Sequence, residues 1–280
     1  MLLERLMEGV ELLKLKNILQ RNATVWSLSR ATYRWVTPIT KHPIRCWLEF
    51  YRLFVDWSRY RSAGGKALLR DFYPCLDDRT GETKFDPQYF YQAAWAMSAI
   101  YKADPTTHID VGSDVRFVGM LTAITKVKFV DIRPLNAALK NLECLNGTIL
   151  NLPFDDQSLE SLSTLHVIEH IGLGRYGDPI DPLGAEKAST ELKRVLSVGG
   201  SLYISMPIGR PRVQFNGHRT FSPQEVLMLF EGLTLTNAAL VDNYGHYHSD
   251  VNLNTVIFNE TLGNEFALGC FVFKREVNEL

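Results

Sequence analysis

The chain has 280 residues, 46% of them hydrophobic, and a formal net charge of −1. That is enough apolar material for one large domain with a smaller companion, and the near-neutral balance excludes a general electrostatic case for a nucleic-acid partner. The charge is uneven, because residues 1–74 carry 13 Lys/Arg against 6 Asp/Glu and the remainder carries 17 against 25; a basic arm on an acidic body suits an anionic surface or docking of one half on the other.

Residues 2–20 space their apolar side chains as a helix does. Glu4, Glu8 and Glu11 interrupt them, which speaks against a secretory signal. Residues 43–62 predict a second helix, with Trp47, Tyr51, Phe54 and Trp57 interleaved with Arg45, Arg52, Arg59 and Arg61. Such a helix suits the interface of an anionic membrane, packing on the body, or a dimer contact. Asp77 to Glu82 reads as a turn, and Pro87 to Lys102 as a third helix. The two helices before that turn define a helical amino-terminal region over 1–85. No stretch is long and apolar enough to span a bilayer.

From Thr107 the pattern changes to short β-type runs alternating with helical ones. Strands are expected at Thr107–Val111, Val127–Asp131, within Leu142–Ile149, at Ser161–Val167, Ser201–Met206, Leu233–Asp242 and Ala267–Lys274. Helices are expected at Phe117–Ile124, Pro134–Leu142, Leu183–Val198 and Pro223–Phe230. This predicts an α/β domain over 86–280: a Rossmann-like, mostly parallel seven-stranded sheet with helices on both faces. Cys46, Cys75, Cys144 and Cys270 form no CxxC motif, and Cys270 in an apolar run reads as a buried reduced thiol, so a reducing, cytoplasmic setting is expected.

In such sheets a ligand sits outside the carboxyl ends of the strands, at the switch point beside the first one. Four segments fall there: His108-Ile-Asp110-Val-Gly112-Ser113-Asp114, Asp131 in Val130-Asp-Ile-Arg-Pro, Asn146 to Leu159 with Thr148 and Ile149, and Ser161 to His170. A turn of small residues lets backbone N–H groups approach a ligand. A carboxylate 21 residues after Asp110 can accept both hydroxyls of a ribose. His166-Val-Ile-Glu169-His170 matches a zinc-peptidase spacing, but the run leading into it is a strand and no further ligand is evident, so no metal is expected. Gly172 to Asp181, with Arg175 and Tyr176, is longer than a plain connection and reads as a substrate loop. Phe215-Asn216-Gly217-His218-Arg219 falls at the same edge, with Arg219 suited to a carboxylate or phosphate. Tyr244 to His248 alternates like an edge strand.

In this order the segments resemble the class I S-adenosylmethionine-dependent methyltransferases. Leu152-Pro-Phe-Asp-Asp-Gln-Ser-Leu and Glu191-Leu-Lys-Arg-Val-Leu-Ser-Val-Gly-Gly-Ser-Leu are similar to that family's runs into strands four and five. HIDVGS, LPFDDQSLESLSTLHVIEHIGLGRYGDPID and FNGHRTF look like an uncharacterised, methyltransferase-like bacterial family. The resemblance implies S-adenosyl-L-methionine as cofactor, held by Asp110, Gly112, Ser113, Asp131, Thr148 and Ile149. It implies a small-molecule or glycan-type acceptor, with Arg175, Tyr176, Asn216 and Arg219 as substrate contacts and His166, His170 and His218 as candidate bases. The sequence departs at the glycine-rich loop: Gly112 stands alone, and Asp114 and Arg116 occupy later glycine positions. A non-catalytic protein of the same fold, serving as scaffold or partner in glycan or envelope biosynthesis, is therefore the second expectation. A nicotinamide-dependent oxidoreductase is third, opposed by the absence of G-x-G-x-x-G. Expected partners are a small substrate, no nucleic acid, a peripheral contact at the inner membrane face through the amino-terminal helices, and a second copy of the chain.

Overall fold

The computed structural model describes residues 43–76, 78–133, 135–252 and 266–276, and the side chains of 43–46 are outside the description. The helix expected over 2–20 lies outside the described residues. The chain divides into two compact units, Met1–Lys84 and Phe85–Leu280. In the first, helix α1 spans Pro43–Ser62. It exposes Trp47, Leu48, Tyr51 and Tyr60. Its arginines are engaged locally: Arg52 with Glu49, Arg59 with Asp56, and Arg61 over the Trp57 ring.

The second unit opens with α2 (Pro87–Ala103), capped by Asp86, whose carboxylate accepts from the N–H groups of Gln88 and Tyr89. The strands are β1 (Thr107–Val111), β2 (Lys126–Asp131), β3 (Leu142–Asn146), β4 (Leu159–Leu165), β5 (Leu196–Gly209), β6 (Arg212–Gln214), β7 (His218–Thr220), β8 (Thr234–Val241), β9 (Tyr247–His248) and β10 (Phe266–Lys274). The remaining helices are α3 (Val115–Leu121), α4 (Gly184–Val195) and α5 (Pro223–Leu229).

The main sheet has eight strands in the order β3-β2-β1-β4-β5-β10-β8-β9. Its first five are mutually parallel, and β10, β8 and β9 join antiparallel. The expected seven-stranded, mostly parallel sheet is thus corrected to an eight-stranded mixed one. The eighth strand is β9, inside the run Tyr244 to His248 that alternates like an edge strand. The Asp242 carboxylate accepts from the N–H groups of Tyr244 and His246, and this folds the chain back onto the edge of β8.

The two faces carry separate apolar layers. Trp95, Ile100, Phe117 and Leu121 of α2 and α3 cover one, and Ala188, Leu192 and Val195 of α4 with Val226 and Phe230 cover the other. Full burial of each large side chain contributes about 1.5–3 kcal/mol, so both faces are firmly held. One expected helix is absent: residues 135–141 are irregular. The run is short for a self-supporting helix, and Asn141 ends it with φ of 69°. The Phe215–Arg219 region, expected as a loop, is the turn and return arm of the separate β6–β7 hairpin.

Candidate functional site

The site lies where β1, β2 and β4 end. Gly112 reverses the chain with φ of 73°, a conformation few other residues adopt, and its N–H donates to the Val130 carbonyl at 2.9 Å. A Cβ there would stand 3.2 Å from a Val167 methyl, so the two turns interlock. Asp110 sits beneath this turn, fully buried. Its carboxylate accepts from the Ser113 N–H at 3.1 Å, the Ser113 hydroxyl at 2.7 Å and the Ser163 hydroxyl. Ser163 in turn meets His108 Nε2 at 2.8 Å, and Ser161 meets His108 Nδ1 at 2.7 Å. Burial pushes the Asp110 carboxyl up to about 6 and the His108 imidazole down to about 3.

Asp131 ends β2 at the crevice. One of its oxygens accepts from the Arg133 N–H at 2.7 Å, and the Arg133 guanidinium stands 3.4 Å away. Across from it, Thr148 and Ile149 follow β3 in a turn held by the Thr148 hydroxyl, which accepts from the Leu150 N–H. The LPF segment is clamped from α4. Glu191 accepts from the Leu152 N–H at 2.6 Å, and Arg194 donates to Glu191, Asp156 and the carbonyls of Leu152 and Phe154. The motif residues that carry the resemblance in this stretch thus brace the wall of the crevice.

His166 leaves β4 with φ of 58° and stacks on Tyr89 of α2, ring centroids 5.3 Å apart. Its Nδ1 lies 2.6 Å from Oε1 of Glu169, which is completely buried. Burial pushes the Glu169 carboxyl up, but the charge and hydrogen bond of His166 and the charge of His170 outweigh it, holding the group below its ordinary value. His170 Nδ1 donates to the Gly217 carbonyl at 2.8 Å, and burial lowers its pKa. The H-x-x-E-H run is strand end plus a single 3₁₀ turn at Ile168–His170. Among the described residues no group of three His, Cys, Asp or Glu side chains is placed to hold a metal ion.

The loop from Gly172 to Asp181 folds over this edge. Asp178 organises it, accepting from the N–H groups of Gly172, Gly174 and Tyr176. The Tyr176 ring is faced by the guanidinium of Arg133 at 4.4 Å and of Arg175 at 5.1 Å. Arg219 fastens the loop from below. Its guanidinium donates to the carbonyls of Ile171, Asp181 and Pro182.

Of the residues singled out in the sequence, Gly112, Asp131, Thr148, Ile149, His166, His170 and Tyr176 line one cavity of about 80 Å³. Asp110 and Ser113 lie under its floor and are committed to each other. Arg175 donates to the Gly217 carbonyl, beside His170. Three of the expected residues lie outside this lining. Arg219 is buried, with its guanidinium donating to loop carbonyls. Asn216 is exposed at the hairpin tip and outside the lining. His218 packs edge-on against Phe266 at 4.9 Å, away from the lining, and burial lowers its pKa. Asp114 and Arg116 leave the crevice clear: Asp114 caps α3, and Arg116 pairs with it at 2.9 Å in solvent. Sequence reasoning passed over Glu169, Tyr89, Arg133 and Asp178. The His-x-x-Glu spacing carried a signal for Glu169, because three residues close one tight turn.

The family profile described as "Caenorhabditis protein of unknown function, DUF268" matches residues 153–263. The bacterial origin suggested by the same phrases has no counterpart in that description. No curated protein sequence matches. Among solved structures, the [4+2]-cyclase SpnF superposes with a TM-score of 0.51 at 11% identity, covering 90% of this chain and 96% of its own. Geranyl diphosphate C-methyltransferase from Streptomyces coelicolor, bound to Mg2+, geranyl diphosphate and S-adenosyl-L-homocysteine, gives 0.46 at 15% identity, covering 67% of this chain and 79% of its own. The Trm112–methyltransferase complex of Haloferax volcanii gives 0.46 at 14%, covering 69% and 94%. At 11% identity the likeness to SpnF shows the fold alone, a mixed α/β, Rossmann-like one.

Proposed function

We propose that the chain is a methyltransferase that uses S-adenosyl-L-methionine and acts on a small-molecule or glycan-type acceptor. The observation that carries this reading is the pairing of the positive-φ Gly112 turn with the Asp131 carboxylate across one crevice. Gly112 offers backbone approach, Asp131 a fixed acceptor for ribose hydroxyls, and Thr148 with Ile149 an edge for a purine. Asp110 and Ser113 hold the turn that would bear the amino-acid end. When bound, the cofactor supplies an electrophilic methyl carbon. The chain's own work is to place the acceptor, keep water out and receive a proton. His166 suits the last task, because Nδ1–H points to a carboxylate, which only accepts, and that leaves the Nε2 lone pair.

A second reading, a non-catalytic protein of this fold acting as scaffold or partner, is favoured by the crevice volume. About 80 Å³ falls short of the roughly 300 Å³ at which small-molecule sites begin. The first reading therefore requires Tyr176 and Arg133 to move aside. Titration calorimetry with S-adenosyl-L-methionine separates the two. Saturable heat with thermal stabilisation supports transfer, and neither at millimolar ligand leaves the scaffold. The proposal extends to a peripheral membrane or homodimer contact through α1, supported by its exposed Trp47, Leu48 and Tyr51. Among the described residues no helix is long and apolar enough to cross a membrane.

A further inference from the structure

Glu169 has no solvent exposure, and its Oε2 has no hydrogen-bond partner. The only ion-pair contacts given to it come from His166 and His170, and no Lys or Arg reaches it among the described residues. Hydrogen-bond logic fixes what surrounds it. His166 donates through Nδ1 to the carboxylate, and His170 donates through Nδ1 to the Gly217 carbonyl. In the neutral imidazoles both Nε2 atoms are then lone-pair acceptors. His166 Nε2 is itself buried without a partner, and His170 Nε2 stands 3.8 Å from Glu169 Oε1, too far for a bond. With both imidazoles uncharged the cluster is a buried anion beside two acceptors, and among the described residues no donor reaches Oε2.

Buried polar atoms are almost always paired, and a buried charge is costly without a counter-charge. The geometry points to a seat for a protonated amine at Glu169, walled by His166 and His170. An ammonium brings several N–H donors and a positive charge together. A lone hydroxyl brings one donor and no charge. A metal ion is disfavoured because its donors must gather more tightly than these do. Both imidazoles line the crevice, so an amine arriving there meets them first. The seat rests on the transfer reading for its use as an acceptor site, and its binding stands apart from it.

The test is histidine-selective NMR of the full chain, titrated with ethylammonium chloride, ethanol and sodium acetate. Ethylammonium should shift the His166 and His170 signals saturably, at least about tenfold more tightly than ethanol, with acetate inert. In Glu169→Gln the ethylammonium affinity should drop about tenfold or more. Glu169→Met serves as the second variant, and the wild-type comparison of charged and neutral probes needs neither to fold. No saturable shift with ethylammonium, equal response to ethanol, or stoichiometric zinc binding in its place each overturns the seat. Calorimetry with S-adenosyl-L-methionine reads the other proposal separately. Amine binding without cofactor binding sinks the transferase and keeps the seat, and the reverse sinks the seat alone.

Discussion

Among the described residues two carboxylates, those of Asp110 and Glu169, are completely buried, and they are treated in opposite ways. Asp110, below the turn after β1, accepts from a backbone N–H and two serine hydroxyls, and the chain continues through Ser163 to His108 and Ser161. Glu169, in the turn after β4, has one imidazole partner and an oxygen with none. Their pKa values diverge for other reasons: burial raises Asp110 to about 6 against the pull of its hydrogen bonds, and the charges of His166 and His170 hold Glu169 down. A saturated buried network fixes backbone and has no room for a guest. An unsaturated one retains interaction energy for something that arrives later.

The sharpest way to break this contrast is to delete each carboxylate in favour of an apolar side chain of similar size. Asp110→Leu strands a backbone N–H and two hydroxyls in the interior, and should cost about 4 kcal/mol of folding free energy by urea denaturation. A cost near that of an ordinary surface change would show that the network does not hold the turn.

Next is the pH dependence of the same network. Asp110 has its folded pKa raised from 3.8 to about 6, so the stability it contributes is full below 3.8 and lost as pH rises through 6. His108 has its folded pKa lowered from 6.5 to about 3, so it contributes the opposite: stability present above 6.5 and lost as pH falls toward 3. The two oppose each other between pH 4 and 6. Asp110→Asn removes an offset of about 3 kcal/mol, and the wild-type chain should lose stability less steeply than this variant on acidification over that window. Parallel curves would refute the coupling.

Of slightly smaller size is the effect at the crevice itself. If Asp131 holds a ribose, Asp131→Ala should weaken S-adenosyl-L-methionine binding roughly 100-fold in calorimetry, the loss of about two charge-assisted hydrogen bonds. Folding should be little affected, since Asp131 braces only its own turn. Unchanged affinity would remove Asp131 from the site.

The smallest expected effect completes the comparison. Glu169→Met should cost about 1–2 kcal/mol of folding free energy, because it strands one imidazole N–H where Asp110→Leu strands three donors. Destabilisation as large as that of Asp110→Leu would mean that Glu169, too, is scaffold.

Apart from the absent helix at 135–141 and the β6–β7 hairpin, strand and helix order from Thr107 onward was legible in the sequence, because period-two and period-3.6 apolar patterns are local. So was the meeting of Gly112 with Asp131, which follows from their places at the ends of adjacent parallel strands. Tertiary structure alone decided the rest. Arg219 belongs to carbonyls 37, 38 and 48 residues away, and Tyr176 to an arginine on another strand end. No window of sequence contains both partners of such a contact. Nor could the sequence show that one acidic residue would find three donors and the other a single imidazole, since satisfaction of a buried charge depends on which groups the fold brings within hydrogen-bond reach.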